Sequence, residues 1–293
     1  MSQNIIFKAH FSQQDQSVNF EYPAPNVGRY ENRYVRRVPE YIIGYLSSQS
    51  GCDQACRFCH LTSTGQNQFD NAEMDDFMQQ AERILEHYDT QAPAKLIHWN
   101  FMARGEPLNN PLLLSDSAQL LNGLAAKSQT YGLESKFLVS SIFPTSMGDL
   151  RLEDIFPEVH PEIYYSIYSM NPSFRKRWLA RAHTAEHGLD MLKAWQDFSH
   201  KVPKIHFAFI EGENDSEADM VAIANAINER DLKVNLNIVR YNPYSAKYGK
   251  EPCEEVIQRN TEILRSLIKA ESWRIVPKVG FDVKASCGMF LKD

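Results

Sequence analysis

Three of the five cysteines stand close together, in Gly51-Cys52-Asp53-Gln54-Ala55-Cys56-Arg57-Phe58-Cys59-His60. Thiolates at these intervals can converge on one inorganic centre. A cluster of four irons would take three of them and leave one iron open to a non-protein ligand. The alternative is a tetrahedral zinc ion, with His60 or Cys287 as fourth ligand. The odd cysteine count, and a start (MSQNIIFKAHFSQQ) that does not read as a secretory signal, argue against a disulfide framework. The expected compartment is the cytoplasm.

The surrounding pattern says what positions these thiols. From residue 41 onward, strand-like and helix-like segments alternate. YIIGYLSS reads as a first strand, with the cysteines directly after it. NAEMDDFMQQAERILEHY carries Met74, Phe77, Met78, Ala81, Ile84, Leu85 and Tyr88 at helical spacing, with Asp70 or Asn71 as cap. KLIHWNFMA is a second strand, and PLLLSDSAQLLNGLAAK reads as one helix beginning after Pro111. SKFLVSS, EIYYSIYS, KIHFAFIEG and KVNLNIVRYN continue the strands, and SWRIVPK is the last. Helices are expected near 146–154, 184–199, 216–229 and 254–269. Alternating β and α predicts a parallel sheet with helices outside it. Six units suggest an α/β partial (β/α)6 barrel, with a doubly wound sheet as the competitor. Either architecture puts active residues in the loops after the strands. Residues 1–40 read as a short N-terminal β extension, a hairpin of IIFKAHF and SVNFEYP followed by a loop, PAPNVGRYENR. Residues 41–293 are the barrel and its C-terminal tail.

Composition bounds the rest. With 293 residues and 43% hydrophobic content, one barrel-sized core is expected. No apolar run reaches the ~18 residues of a membrane span. The net charge of −6 leaves local basic groups, Arg33, Arg36 and Arg37 in one place and Arg175, Lys176, Arg177 and Arg181 in another. Such groups are usually solvated faces, so charge alone does not argue for nucleic acid.

Further motifs follow the cysteines in order: Arg104-Gly105-Glu106-Pro107-Leu108-Asn109 after strand two, Val139-Ser140-Ser141 in strand three, Ser166-Ile167-Tyr168 after strand four, Gly212-Glu213-Asn214-Asp215-Ser216 after strand five, Asn242-Pro243-Tyr244 after strand six, and Ala285-Ser286-Cys287-Gly288 near the end. With SSQSGCDQACRFC, this series resembles the radical S-adenosylmethionine (SAM) RNA adenine-C2 methyltransferases and their C8-methylating resistance branch. The resemblance covers roughly residues 41–290.

It implies a barrel of the radical SAM type, a [4Fe–4S] cluster on Cys52, Cys56 and Cys59, and SAM on the open iron. By resemblance, Phe58 flanks the SAM adenine, Gly105 and Glu106 hold its amino group, Ser140 and Ser141 lie near its ribose and carboxylate, and Asn242 near the adenine. Cys287 would carry a methyl group from one SAM to an RNA base, with a radical from a second SAM activating that methyl group. Such chemistry needs a low-potential electron donor such as a flavodoxin or ferredoxin. The family's resolving cysteine, seven residues before the first cluster cysteine, is Tyr45 here, and its histidine after strand four is Tyr168. Only 51 residues precede Cys52, so the family's N-terminal accessory domain is expected to be absent. Glu21 is a weak candidate for its catalytic acid. Cys253 is the one cysteine left to resolve an adduct, although Glu251, Glu254 and Glu255 beside it oppose a thiolate. Two alternatives stay open: another radical SAM reaction on a nucleotide or small molecule, and a non-catalytic iron–sulfur or zinc protein.

Overall fold

A computed structural model describes residues 7–292. One ten-stranded sheet runs in chain order from β1 to β10. Its first four strands are β1 (Lys8–Phe11), β2 (Val18–Pro23), β3 (Arg29–Val38) and β4 (Tyr41–Tyr45), and they pair antiparallel as a meander. From β4 onward every pairing is parallel: β5 (Leu96–Phe101), β6 (Glu134–Ser141), β7 (Glu162–Tyr165), β8 (Lys204–Phe207), β9 (Asn235–Val239) and β10 (Trp273–Val276). The helices are α1 (His60–Ser63), α2 (Met74–Asp89), α3 (Pro111–Ser115), α4 (Ser117–Gln129), α5 (Leu152–Ile155), α6 (Pro172–Trp178), α7 (Ala185–Ser199), α8 (Glu217–Asn228) and α9 (Glu254–Ile268). Among the described residues β1 and β10 do not pair with each other, so the barrel is partial. No helix among the described residues is long and apolar enough to cross a membrane.

Alternation along the strands sorts the side chains. Ile42, Ile97, Trp99, Val139, Ile163, Ile205 and Leu236 face the helices and belong to one continuous core. Full burial of each such side chain is worth roughly 1.5–3 kcal/mol. The opposite parity faces the barrel interior and is mostly polar, with His98, Asn100, Lys136, Glu162, Tyr164, Lys204 and His206.

Four local expectations are corrected. PAPNVGRYENR is not all loop, because Arg29 onward is strand β3, which joins the extension to the barrel through β4. The β1 hairpin partner is described only from Phe7, so the start of IIFKAHF lies outside the described residues. Helix α2 is capped by Glu73 in a capping box with Asp76. Asp70 instead accepts from the Asn26 and Val27 N–H groups at 2.7 and 3.2 Å, and Asn71 accepts from Gln49 at 3.0 Å. The helix after Pro111 breaks at Asp116, whose φ of −133° is not helical, and the chain restarts as α4. EIYYSIYS ends as strand at Tyr165, since Tyr168 takes a φ of +57° and turns the chain.

Candidate active site

The loop after β4 carries the three cysteines against the mouth of the barrel. Gly51 is required there, because a Cβ would lie 2.3 Å from the Gln68 carbonyl oxygen. The loop is pinned by Cys52 N–H donating to the Gln66 carbonyl and Cys59 N–H to the Cys56 carbonyl, each at 3.0 Å. Burial raises all three thiols. Cys56 stands well above its ordinary range, pushed further by Cys52 and Cys59, and Cys59 is raised to about 11. Three mutually repelling buried thiols are poor thiolates by themselves, and a cationic centre bound among them reverses that balance.

Five of the six remaining motifs reach the same cleft, and the Gly212–Ser216 segment does not line it. The cleft encloses about 960 Å³, part of it open to solvent, and is lined by all three cysteines, Phe58, Gly105, Glu106, Ser140, Ser141, Asn242 and Cys287. Gly105 holds a φ of +95°, and a Cβ on it would lie 2.6 Å from the Ser48 hydroxyl, so the backbone passes close behind the cysteine loop. Glu106 is buried. Burial raises its carboxyl to about 7, against the pull of Ser141 and of the Leu108 and Ile142 N–H donors at 3.1 and 3.3 Å. Ser141 also accepts from Phe143 N–H at 2.8 Å, while Ser140 stays half-buried on the cleft wall. Phe58 stacks on Tyr168 with ring centres 4.3 Å apart and planes within 12°.

Cys287 reaches the cleft from the C-terminal tail. Its side chain is open to the cleft yet surrounded by protein, and that desolvation raises its thiol while Arg33 and Arg37 oppose the shift. The tail is held by hydrogen bonds to both neighbouring loops. Asn242 Nδ2 donates to the Cys287 carbonyl and His60 N–H donates to the Gly288 carbonyl, each at 3.0 Å. His60 Nε2 is 3.0 Å from the Asn242 carbonyl, so one ring nitrogen of this possible zinc ligand is already engaged. No three His, Cys, Asp or Glu side chains among the described residues are grouped to hold a single metal ion.

A second set of residues, not singled out by their sequence spacing, fixes this arrangement. Glu31 on β3 is fully buried and accepts from Arg104 Nε at 2.7 Å, Asn19 Nδ2 at 2.8 Å and Leu291 N–H at 3.0 Å. Arg104 also donates to the Ser50 and Leu291 carbonyls at 2.8 and 2.7 Å, and Arg33 to the Met289 carbonyl at 2.7 Å. One buried ionic node therefore ties extension, cysteine loop and tail together. His206 was also missed. Its Nε2 lies 4.0 Å from the Cys287 sulfur, and the alternation of KIHF was the signal that places it inward. Two expected residues lie elsewhere. Cys253 is exposed at the N-terminus of α9 and does not line the cleft. Glu21 pairs with Arg29 and with His10 at 2.8 Å, and is not among the residues lining the cleft.

The site fits the cofactors that the motifs imply. Three thiols face one space, a buried carboxyl stands beside them, and the buried Asn242 Oδ1 has no partner and lines the same space.

No family model matches the sequence. A "Probable RNA methyltransferase" of Rhodopirellula baltica is 28% identical over 258 residues, spanning 85% of this chain and 63% of that protein. A "Probable dual-specificity RNA methyltransferase RlmN" of Prochlorococcus marinus is 25% identical over 253 residues, 85% of this chain and 66% of that one. The chain thus spans a little under two thirds of the length of these two relatives. The structure of a radical SAM methyltransferase from Sphaerobacter thermophilus superposes with a TM-score of 0.79 at 16% identity, over 97% of this chain and 80% of that one. In sequence the chain is similar to proteins named RNA methyltransferases, and in fold to a radical SAM methyltransferase. The partial barrel is the architecture it shares with the Sphaerobacter structure. Within that frame, the departures at Tyr45 and Tyr168 acquire positions: Tyr168 stacks under Phe58, and Tyr45 faces the barrel interior, 3.4 Å from the Arg37 guanidinium.

Proposed function

We propose that this protein methylates an adenine carbon in RNA by radical SAM chemistry, with Cys287 as the methyl carrier. The observation that carries the reading is the meeting of Cys52, Cys56, Cys59, Glu106 and Cys287 on one cleft. A [4Fe–4S] cluster held by the three cysteines, with SAM on its open iron, would supply one-electron cleavage of the sulfonium and a hydrogen-abstracting radical. The chain's own groups do the rest. Glu106, ionised, accepts from the SAM ammonium in a charge-assisted hydrogen bond. Asn242 Oδ1 offers an acceptor to an exocyclic amine, and the Phe58–Tyr168 stack gives an apolar wall for an adenine. Cys287 presents its sulfur to the same space, as a carrier needs for displacement at a SAM methyl group. In this reading the electron comes from a flavodoxin- or ferredoxin-like donor, and the protein works in the cytoplasm.

The absence of a second non-cluster thiol on the cleft favours a further reading. All five cysteines are described; three would be cluster ligands, and Cys253 is outside the cleft. Release by disulfide formation with Cys287 then needs an external thiol, and a radical SAM reaction on another nucleotide or small molecule, without a covalent protein–substrate adduct, becomes the second candidate. Mass spectrometry of RNA nucleosides from cells with and without the active protein separates the two. A methyladenosine that vanishes with the gene supports the first reading; unchanged RNA nucleosides refute it.

A further inference from the structure

Beneath the cleft, inside the barrel, lies a second space. It encloses about 780 Å³, part of it open to solvent, and shares His206 and Met102 with the cleft above. Closed eight-stranded barrels fill this region with layers of valine, isoleucine and leucine. Here the inward positions are polar, and the charges are unbalanced.

Four cations, Arg37, Lys136, Lys204 and Arg274, line the space against one carboxylate, Glu162. Lys136 and Lys204 share that carboxylate at 2.5 and 3.0 Å. Arg37 and Arg274 have no carboxylate partner among the described residues. Arg37 reaches only the Tyr45 hydroxyl at 3.4 Å, and its buried Nε has no partner. Arg274, on the exposed edge strand β10, meets the neutral Asn237 Oδ1 at 3.3 Å. The two interior histidines register the excess. Burial first, and then these cations, lower His98 to about 4 and His206 to about 3, so both are neutral. A largely polar interior with surplus positive charge, sharing lining residues with the cleft above, suits an anion.

We propose that the barrel interior is an anion subsite for a phosphate group carried by the substrate, with Arg37 and Arg274 as its ligands. Planar guanidiniums suit phosphate oxygens through paired hydrogen bonds. The subsite would anchor the nucleotide whose base enters the cleft. Only the identity of that nucleotide rests on the function proposed above; the anion site stands on the interior's own charges.

The test uses the full-length, cluster-reconstituted protein and pyrophosphate as probe, followed by calorimetry. Wild type should bind pyrophosphate, and Arg37→Gln and Arg274→Gln should each weaken it about tenfold or more, the loss of one charge-assisted contact. Arg36→Gln, whose guanidinium serves the Ala92, Pro39 and Pro93 carbonyls, should bind like wild type. Circular dichroism and SAM binding should be unchanged in all three variants. AMP should displace the probe and adenosine should not. Displacement by a 5′-hydroxyl oligoribonucleotide as well would assign the phosphate to an RNA backbone; displacement by AMP alone would assign it to a nucleotide's terminal phosphate. No binding of pyrophosphate, wild-type affinity in both Arg37→Gln and Arg274→Gln, or displacement by adenosine as strong as by AMP would each overturn the proposal. Intact phosphate binding with no methylated RNA would refute the proposed function and leave the subsite standing.

Discussion

Replacing Glu106 with glutamine should move two properties in opposite directions. The carboxyl is buried and raised to about 7, first by desolvation, with Ser141 and the Leu108 and Ile142 N–H groups opposing. Against an ordinary value of 4.5, keeping it ionised in the empty protein at pH 8 costs about 3 kcal/mol. Because the folded value lies above the unfolded one, that penalty is absent below about pH 4.5. It grows as pH rises toward 7, and is complete above. Glutamine carries no charge and removes the penalty. It also turns an NH₂ toward one of the two backbone donors, which costs about 1 kcal/mol. The net expectation is that SAM-free Glu106→Gln gains about 2 kcal/mol over wild type at pH 8 and loses about 1 kcal/mol near pH 4.5. The same change removes the carboxylate proposed to face the SAM ammonium and should weaken SAM binding by about 1.5–3 kcal/mol, roughly ten- to a hundredfold. Thermal melts across pH, paired with calorimetric SAM titrations, measure both. A variant that binds SAM as well as wild type would refute the assignment of this carboxyl to the ammonium, and one less stable than wild type at pH 8 would refute the burial penalty.

Three further expectations follow from the same geometry. Wild-type protein reconstituted anaerobically should hold about four irons per chain, and Cys56→Ala should lose them, by iron and sulfide assay. Arg104→Met leaves the buried Glu31 with Arg33, at 3.2 Å, as its remaining guanidinium and should cost about 1.5–3 kcal/mol in chemical denaturation, with the tail around Cys287 losing hydrogen-exchange protection. Cys253→Ser should leave turnover unchanged, because the thiol is exposed on α9 outside the cleft.

Much of this architecture is readable from residue order. Apolar alternation in YIIGY, KLIHWNF and KIHF, and the helical face of α2, follow directly from burial on one side of a strand or helix, and they place the cysteines at the end of the first parallel strand. The convergence of Glu106, Asn242 and Cys287 was legible only through resemblance, since loops after different strands meet by virtue of the barrel and not of their own spacing. Residues whose partners are distant in sequence were hidden. Glu31 reads as an ordinary strand residue until Arg104, 73 positions away, and the Leu291 N–H are found on it. His206 reads as one polar residue in an apolar run until its inward parity brings it beside Cys287. Arg29–Arg33 reads as loop because Gly28, Arg29 and Asn32 dilute the pattern, yet the pairing of this segment with β2 and β4 makes it strand.

The central claim is that Cys287 hands a SAM-derived methyl group to an RNA adenine within the cleft that cleaves SAM. It is tested most directly by anaerobic turnover with methyl-labelled SAM, a chemical reductant and total RNA, followed by mass spectrometry of both the Cys287 peptide and the RNA nucleosides. The account predicts label on the Cys287 sulfur and on an adenine carbon in wild type. In Cys287→Ala it predicts continued formation of 5′-deoxyadenosine with no label in RNA. Full labelling of adenine by Cys287→Ala would contradict it.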